Sequence, residues 1–202
     1  MPSQSPRKRA FIIYGRGGYP AEAWQPWLKR ELTRRGYQVA LPTMPNADHP
    51  DMLEWLHLIA KLVGEPDRET VLVGHSLGCQ AVLRYLEVVG AMGKAVRATV
   101  IIAGSLPPEL SIAEARKKVG ADDALLPWFT LGVDTRKVKA AAGRCTVILS
   151  EDDPYIPVKK AVATFRKQLN PTIIMKSGHG HFNEDDDITE LPEALAAIVS
   201  GQ

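Results

Sequence analysis

Six apolar runs of strand length, separated by amphipathic helical segments, constrain the fold of this chain more than any other feature of its sequence. The runs are FIIY, YQVAL, TVLV, ATVIIA, CTVIL and TIIMK, at 11–14, 37–41, 70–73, 98–103, 145–149 and 172–176. Most are continuously apolar rather than alternating, which is typical of strands covered on both faces in a parallel sheet. The pattern therefore predicts an open α/β sheet of about six mainly parallel strands.

Helices are predicted between these runs from the spacing of apolar residues and from the residues that end them. One apolar stripe ends at Gly36, and a second, which ends at Gly64, consists of Leu53, Leu56, Ile59, Ala60 and Val63. Further helices are predicted at 79–89, 158–169 and 191–199. In such a fold, ligands bind beyond the carboxyl ends of the strands, so the loops that follow strands are the candidate functional segments.

The length of 202 residues suits one compact domain, which we place at residues 11–202. Residues 1–10 contain the run PRKR and are predicted to form a flexible basic tail. The segment 104–143 separates two predicted strands and is too long for a plain crossover. We therefore expect this insert to carry short helices and to overhang the strand ends as a small lid.

Charge and composition exclude several classes of partner. With 25 Lys and Arg residues against 23 Asp and Glu, the charge balance does not favour nucleic acid. No stretch approaches the ~20 apolar residues that span a bilayer, and the N-terminus lacks the apolar core of a secretion signal. Cys79 and Cys145 are isolated, which fits a reducing compartment. We expect a cytoplasmic protein that binds neither nucleic acid nor membrane.

The sequence GHSLG, Gly74 to Gly78, lies between the run TVLV and a helical run. A serine in G-x-S-x-G between a strand and a helix is typical of a nucleophile elbow, a turn so tight that side chains two residues either side would clash. Ser76 is therefore the predicted nucleophile, and the amide of Leu77 is predicted to stabilise negative charge at the helix start. His75 is interpreted as a residue that packs within the elbow and borders the substrate pocket.

An activated serine needs a histidine within reach and a carboxylate that holds the imidazole, in the chain order Ser, Asp or Glu, His for this motif. The loop SEDDPYIP supplies Glu151, Asp152 and Asp153, and the loop SGHGHFNE supplies His179 and His181. All of them follow strands. An aspartate before proline is biased toward an extended backbone, and in an extended loop the two histidines would face the same side. On motif order and backbone preference alone, both the acid and the base stay open.

The loop after the first run, YGRGGYP, is the candidate for the second amide of an oxyanion hole, because its glycines let the backbone approach a substrate closely. A Rossmann phosphate loop is the alternative, but the third glycine of G-x-G-x-x-G is missing, since position 20 is proline. We favour the oxyanion interpretation. Gly15 or Arg16 would donate the amide, with Arg16 preferred, and Gly15 would border the substrate.

Together, YGRGG, LPTMPN, GHSLG, SEDDPYIP and GHFNE resemble the small serine hydrolases of the retinoblastoma-binding protein nine and bacterial YdeN type, within the α/β-hydrolase superfamily. The resemblance covers nearly the whole chain. It implies an α/β-hydrolase fold, a compact three-layer sandwich with little or no lid, and a triad that acts on small esters or amides. Matched motif by motif, it implies Ser76 as the nucleophile, Asp153 as the acid and His181 as the base, with His179 as the competing base.

The combined prediction is a carboxylesterase-like serine hydrolase that cleaves small-molecule acyl esters through an acyl-enzyme, with no metal or organic cofactor. Trp128, Phe129 and Leu131 of the insert are candidates for an acyl pocket. One alternative is a hydrolase-fold binding module whose triad is weak or vestigial. Another keeps the triad but cleaves amides or thioesters. The oligomeric state is not predicted.

Overall fold

The computed structural model describes residues 7–200, and its centre is a six-stranded sheet in which neighbouring strands are all parallel. The strands are β1 (Arg9–Ile13), β2 (Gln38–Ala40), β3 (Thr70–His75), β4 (Ala98–Ile102), β5 (Arg144–Ser150) and β6 (Thr172–Lys176). Their order across the sheet is β2-β1-β3-β4-β5-β6. The predicted parallel α/β sheet is confirmed, and each apolar run contributes to one strand.

The first strand begins earlier than the predicted boundary between tail and domain. Arg9 and Ala10 pair with Gln38 and Val39 of β2. The Arg9 guanidinium also donates to the carbonyl oxygen of Val63 at 2.7 Å. The boundary at residue 11 was wrong because a charged side chain at the start of a strand interrupts the apolar signal without interrupting the ladder. Residues 1–6 of the predicted tail lie outside the described residues.

Helices cover both faces of the sheet and form the outer two of three layers. They are α1 (Gln25–Arg34), α2 (Met52–Val63), α3 (Leu77–Ala91), α4 (Ile112–Val119), α5 (Leu126–Thr130), α6 (Thr135–Ala141), α7 (Val158–Gln168) and α8 (Pro192–Val199). The apolar residues of α1 and α8 pack on one face of the sheet. Those of α2, α3, α6 and α7 form the core on the other face. In the described part of the chain, no helix has both the length and the apolar character needed to cross a membrane.

The buried stripe of α2 agrees with the prediction at Ile59 and Val63 but differs from it in the first half of the helix. Met52, Trp55, Ile59 and Val63 are buried, whereas Leu53 is 69% exposed. The segment MLEWLHLIAKLV contains two overlapping apolar stripes, so its spacing alone does not select one. The buried indole of Trp55 selects the stripe that faces the core.

The insert between β4 and β5 carries α4, α5 and α6, in agreement with the expectation of short helices. Arg84 of α3 anchors it, because its buried guanidinium donates to the carbonyl oxygens of Trp128, Leu131 and Gly132, at 3.2, 2.6 and 3.2 Å. Trp128 lies in the last turn of α5, and Leu131 and Gly132 follow its end, where helix geometry leaves carbonyl oxygens without partners. The insert is therefore tied to the core of the domain through α3.

The strand order places two candidate loops side by side. The chain passes from β1 to the edge strand β2 and then returns to β3 on the other side of β1. At such a switch point the loops after the two central strands diverge and leave a crevice for a ligand. The glycine loop after β1 and the Ser76 turn after β3 therefore meet at one edge of the sheet.

Candidate active site

Ser76 occupies a strained turn between β3 and α3. Its φ of 52° lies in the left-handed region that non-glycine residues rarely adopt. A Cβ at Gly74 would lie 2.7 Å from the Cα atom of Cys79, and one at Gly78 would overlap the carbonyl oxygens of Ile13 and Tyr14. Both glycines are thus required for the turn, which presents the serine at the carboxyl end of the sheet.

His181 lies between Ser76 and Asp153. The Ser76 hydroxyl donates to Nε2 of His181 at 2.8 Å, and Nδ1–H of the same ring donates to Oδ2 of Asp153 at 2.9 Å. The histidine side chain is 10% exposed and the aspartate side chain is fully buried. The ring is further restrained by the edge of Tyr155, with the two ring centroids 4.8 Å apart. The three side chains form a continuous hydrogen-bonded chain.

Asp153 is held by its own loop. Its Oδ1 accepts hydrogen bonds from the backbone amides of Tyr155 and Ile156, at 2.8 and 3.0 Å. These bonds compensate the burial of the carboxylate and fix its orientation toward the imidazole. Asp152 points elsewhere, and Glu151 is exposed.

Two carboxylates that the sequence reasoning did not assign shape the histidine loop. Asp152 accepts from the backbone amides of Gly178 and Gly180, at 2.9 and 3.4 Å. Asp186 accepts from the amide of His181 at 2.8 Å. The hydrogen bond from Ser150 is the largest cause that lowers the pKa of Asp152, so this carboxyl is ionised at neutral pH and acts as an acceptor.

The loop is a turn rather than an extended segment, so the two histidines do not face the same side. Gly178 and Gly180 have φ values of 70° and 48°, and the amide of Phe182 donates to the carbonyl oxygen of His179 at 2.9 Å. The His179 ring bonds instead to the carbonyl oxygen of Ser177, at 2.9 Å. Of the two candidate bases, only His181 contacts Ser76.

The glycine loop approaches Ser76 closely. A Cβ at Gly15 would lie 2.7 Å from the Cβ atom of Ser76, so only glycine fits there. Among the described residues, hydrogen bonds engage the amides of Gly17 and Gly18 but not those of Arg16 and Leu77. The Arg16 side chain turns away, since its Nε donates to the carbonyl oxygen of Asp48 at 2.8 Å. Two amides beside the serine turn therefore keep free hydrogen-bonding capacity.

The segment LPTMPN and the next residue, Ala47, support the glycine loop, a contact that no physical argument from the sequence predicted. The amide of Met44 donates to the Tyr14 hydroxyl at 2.5 Å, and the amide of Gly17 donates to the carbonyl oxygen of Ala47 at 2.8 Å. Burial is the main cause that raises the pKa of Tyr14, so its hydroxyl stays protonated. These contacts fix the backbone that carries Gly15 and Arg16.

His75 lies behind the site and contacts His181. Its Nε2–H donates to the backbone carbonyl oxygen of His181 at 2.8 Å, and its ring packs at 6.0 Å from that of Trp24. Burial is the main cause that lowers its pKa from 6.5 to about 4, so the ring is neutral at physiological pH. The predicted packing role within the elbow agrees with this position; the side chain borders the cleft but is only 3% exposed.

A cleft of about 870 Å³ opens over Ser76. Phe129 and Gly15, two of the residues predicted to border the substrate, line it together with Leu106, Leu110, Val119, Leu125 and Ile156. The prediction for Trp128 was wrong. This residue is fully buried, donates from its indole to the carbonyl oxygen of Pro50 at 2.9 Å and packs against Trp55. Leu131 is 50% exposed and is absent from the cleft wall.

Comparison with known proteins identifies the family. A family model described as serine hydrolase matches residues 10–200. The chain belongs to the serine hydrolase family. YdeN of Bacillus subtilis (strain 168) is 31% identical over 197 residues, which cover 96% of this chain and 95% of YdeN. Serine hydrolase RBBP9 of Rattus norvegicus is 24% identical over 199 residues, covering 97% of this chain and 96% of the relative.

Solved structures agree with this assignment. The crystal structure of the ydeN gene product from B. subtilis superimposes with a TM-score of 0.80 at 27% identity, covering 96% of this chain and 97% of that chain. The predicted family and the predicted α/β-hydrolase fold are therefore confirmed. The match extends over nearly all of both chains, so the insert belongs within the common domain.

The cleft of this serine hydrolase contains a further carboxyl that the sequence did not reveal. Glu22, which follows the glycine loop, lines the cleft, and its Oε2 is buried without a hydrogen-bond partner among the described residues. Burial is the main cause that raises its pKa. A Cβ at Gly18 would lie 2.6 Å from that oxygen, so this glycine makes room for the carboxyl. Within residues 7–200, no group of three His, Cys, Asp or Glu side chains could hold a metal ion.

Proposed function

We propose that this serine hydrolase is a carboxylesterase that cleaves small acyl esters through Ser76, His181 and Asp153. One observation carries the proposal: the His181 ring bonds to Ser76 Oγ at 2.8 Å through Nε2 and to Asp153 Oδ2 at 2.9 Å through Nδ1. These distances suit transfer of a proton between the hydroxyl and the imidazole. The cleft that opens over the serine, with Phe129 and other apolar residues in its wall, fits a small acyl group.

In the acylation step, Ser76 Oγ attacks the ester carbonyl carbon while its proton passes to Nε2 of His181. The Asp153 carboxylate stabilises the imidazolium that forms. The carbonyl oxygen becomes an oxyanion, for which the free amides of Leu77 and Arg16 are the proposed donors. The imidazolium then gives its proton to the departing alkoxide, which leaves an acyl-serine.

In the deacylation step, His181 accepts a proton from water as the water oxygen attacks the acyl-serine. Collapse of the second tetrahedral intermediate releases the carboxylic acid and returns the proton to Ser76. The neutral His75, which donates to the backbone of His181 at 2.8 Å, adds no second positive charge beside the imidazolium.

The test is labelling with a fluorophosphonate, followed by intact-mass analysis and peptide mapping. We expect one adduct on Ser76 in the wild type, none in Ser76→Ala and strongly slowed labelling in His181→Ala. His179→Ala is the matched control, since it removes a histidine two residues away that does not contact Ser76. In parallel, removal of the nucleophile should lower kcat for p-nitrophenyl butyrate by about three orders of magnitude or more.

The outcomes separate the proposal from its rivals. No adduct on the folded wild type would refute the activated serine and favour a binding module. Labelling that is lost only in His179→Ala would refute the assignment of the base. An ester, a thioester and an anilide with the same acyl group then test the substrate class, and an ester with the lowest kcat/KM of the three would refute the carboxylesterase assignment.

A further inference from the structure

Gln80 occupies a position of α3 that faces the candidate active site. It lies one helical turn after Ser76 and three residues after Leu77, so the side chains of residues 77 and 80 share one face of the helix. Both residues line the cleft. Four residues along a helix correspond to a rise of about 6 Å, so the Gln80 side chain starts close to Ser76.

The carboxamide oxygen of Gln80 has no hydrogen-bond partner among the described residues. The residue is only 6% exposed, and within the described part of the chain its Oε1 accepts no hydrogen bond. A buried amide oxygen without a partner is unfavourable, because it loses its hydrogen bonds to water and gains none in return. A substrate in the cleft could supply the missing donor. The terminal torsion of a glutamine side chain has a broad range, so the carboxamide can rotate to meet that donor.

Burial distinguishes this carboxamide from the exposed charged groups of the cleft. Three charged lining residues of the insert and α7, which are Glu109, Lys118 and Lys160, are exposed, so water solvates them. The apolar side chains that line the same cleft include Leu106, Leu110, Leu125, Phe129 and Ile156. Gln80 is therefore a buried polar group beside an apolar wall, close to the reacting serine.

Lack of a partner is not by itself a sign of function in this protein. Gln25 of α1 is fully buried, and neither its Oε1 nor its Nε2 has a partner among the described residues. That residue does not line the cleft. The position of Gln80 in the cleft wall, rather than its missing partner alone, distinguishes the two glutamines.

We propose that Gln80 is a specificity-determining residue whose carboxamide oxygen accepts a hydrogen bond from the acyl part of the substrate. The preferred acyl groups then carry a hydroxyl or an amide N–H a few bonds from the scissile carbonyl, on an otherwise apolar chain. This inference rests on the proposed ester hydrolysis at Ser76 and names the class of acyl group that the site accepts.

The test compares pairs of p-nitrophenyl esters in which a hydroxyl is replaced by a methyl group of similar size. One pair is β-hydroxybutyrate with β-methylbutyrate, and the other is ω-hydroxyhexanoate with heptanoate. Each kcat/KM is divided by the rate of uncatalysed hydrolysis. We expect the wild type to favour the hydroxyl member of at least one pair by about threefold to tenfold, as one uncharged hydrogen bond allows. In Gln80→Met this ratio should fall to about one.

Gln25→Met is the matched control, because it removes the same carboxamide from a buried site outside the cleft, and it should keep the wild-type ratio. Two results would overturn the inference. The wild type could favour neither hydroxyl ester, which needs no variant to establish, or Gln80→Met could keep the preference. Ser76→Ala distinguishes the two levels of proposal. If Ser76→Ala hydrolyses the esters like the wild type, the proposed function fails. If Ser76→Ala is inactive but Gln80→Met keeps the wild-type preference for the hydroxyl ester, only this inference fails.

Discussion

The buried histidine of the elbow predicts a specific dependence of stability on pH. Burial, followed by the neighbouring His181, lowers the pKa of His75 from 6.5 to about 4. The unfolded chain therefore binds a proton at His75 in a pH range where the folded chain does not. Since stability rises with pH wherever the unfolded state binds more protons, His75 contributes its full stabilisation above pH 6.5 and loses it as the pH falls toward 4.

The size of this loss follows from the same pKa values. Each pKa unit corresponds to about 1.4 kcal/mol, so a fall from 6.5 to about 4 corresponds to about 3 kcal/mol in total. Most of it, about 2.5 kcal/mol, should already be lost at about pH 4.5. The assay is urea unfolding of the wild type and of His75→Gln, at about pH 7.5 and about pH 4.5.

The variant isolates the contribution of this one side chain. His75→Gln cannot take up a proton, and its amide can still donate to the carbonyl oxygen of His181. We expect it to be less stable than the wild type at neutral pH, because packing against Trp24 is lost, but to lose less stability on acidification. Substitution of the exposed His57 by glutamine controls for the loss of a histidine as such. A stability difference between His75→Gln and the wild type that stays constant from neutral to acidic pH would refute the reasoning.

Three further predictions follow from the contacts around the site. Gly78→Ala should cost about 1–3 kcal/mol and slow labelling by fluorophosphonate, because the added Cβ overlaps the backbone of the glycine loop; unchanged thermal unfolding would contradict this. Asp152→Asn should lower kcat by on the order of tenfold to a hundredfold through misplacement of His181, with KM nearly unchanged, and an unaltered kcat would count against the positioning role. Arg84→Met should destabilise α5 and raise KM for longer acyl esters more than for an acetate ester. Amide hydrogen exchange in α5 at the wild-type rate would argue against the anchor.

The fold and the serine turn were accessible from the sequence because their requirements are local. Continuous apolar runs separated by helical stripes specify a parallel sheet with two covered faces. The turn at Ser76 depends on the absence of side chains at Gly74 and Gly78, which lie within two residues of it. A short window of sequence therefore contains most of the information that this part of the site needs.

Only the folded protein shows which of the two histidines contacts Ser76. In the extended loop that the sequence suggested, His179 and His181 would face the same side. The loop turns at Gly180, and Asp152, from the end of a neighbouring strand, binds its backbone. No pattern within the loop encodes a hydrogen bond to a residue that is 28 positions away.

The residues that line the cleft also depend on the tertiary structure rather than on local sequence. Trp128 and Phe129 are neighbours in α5, yet Trp128 packs in the core and Phe129 lines the cleft. Gln80 and Glu22 also reach the cleft, although their sequence context gives no sign of it. The sequence by itself determined the spacing of apolar residues in each helix and strand, the glycines of the serine turn and the chain order of the candidate triad. Only the tertiary structure decided which face of each element meets the cleft, because that face depends on the neighbours against which the element packs.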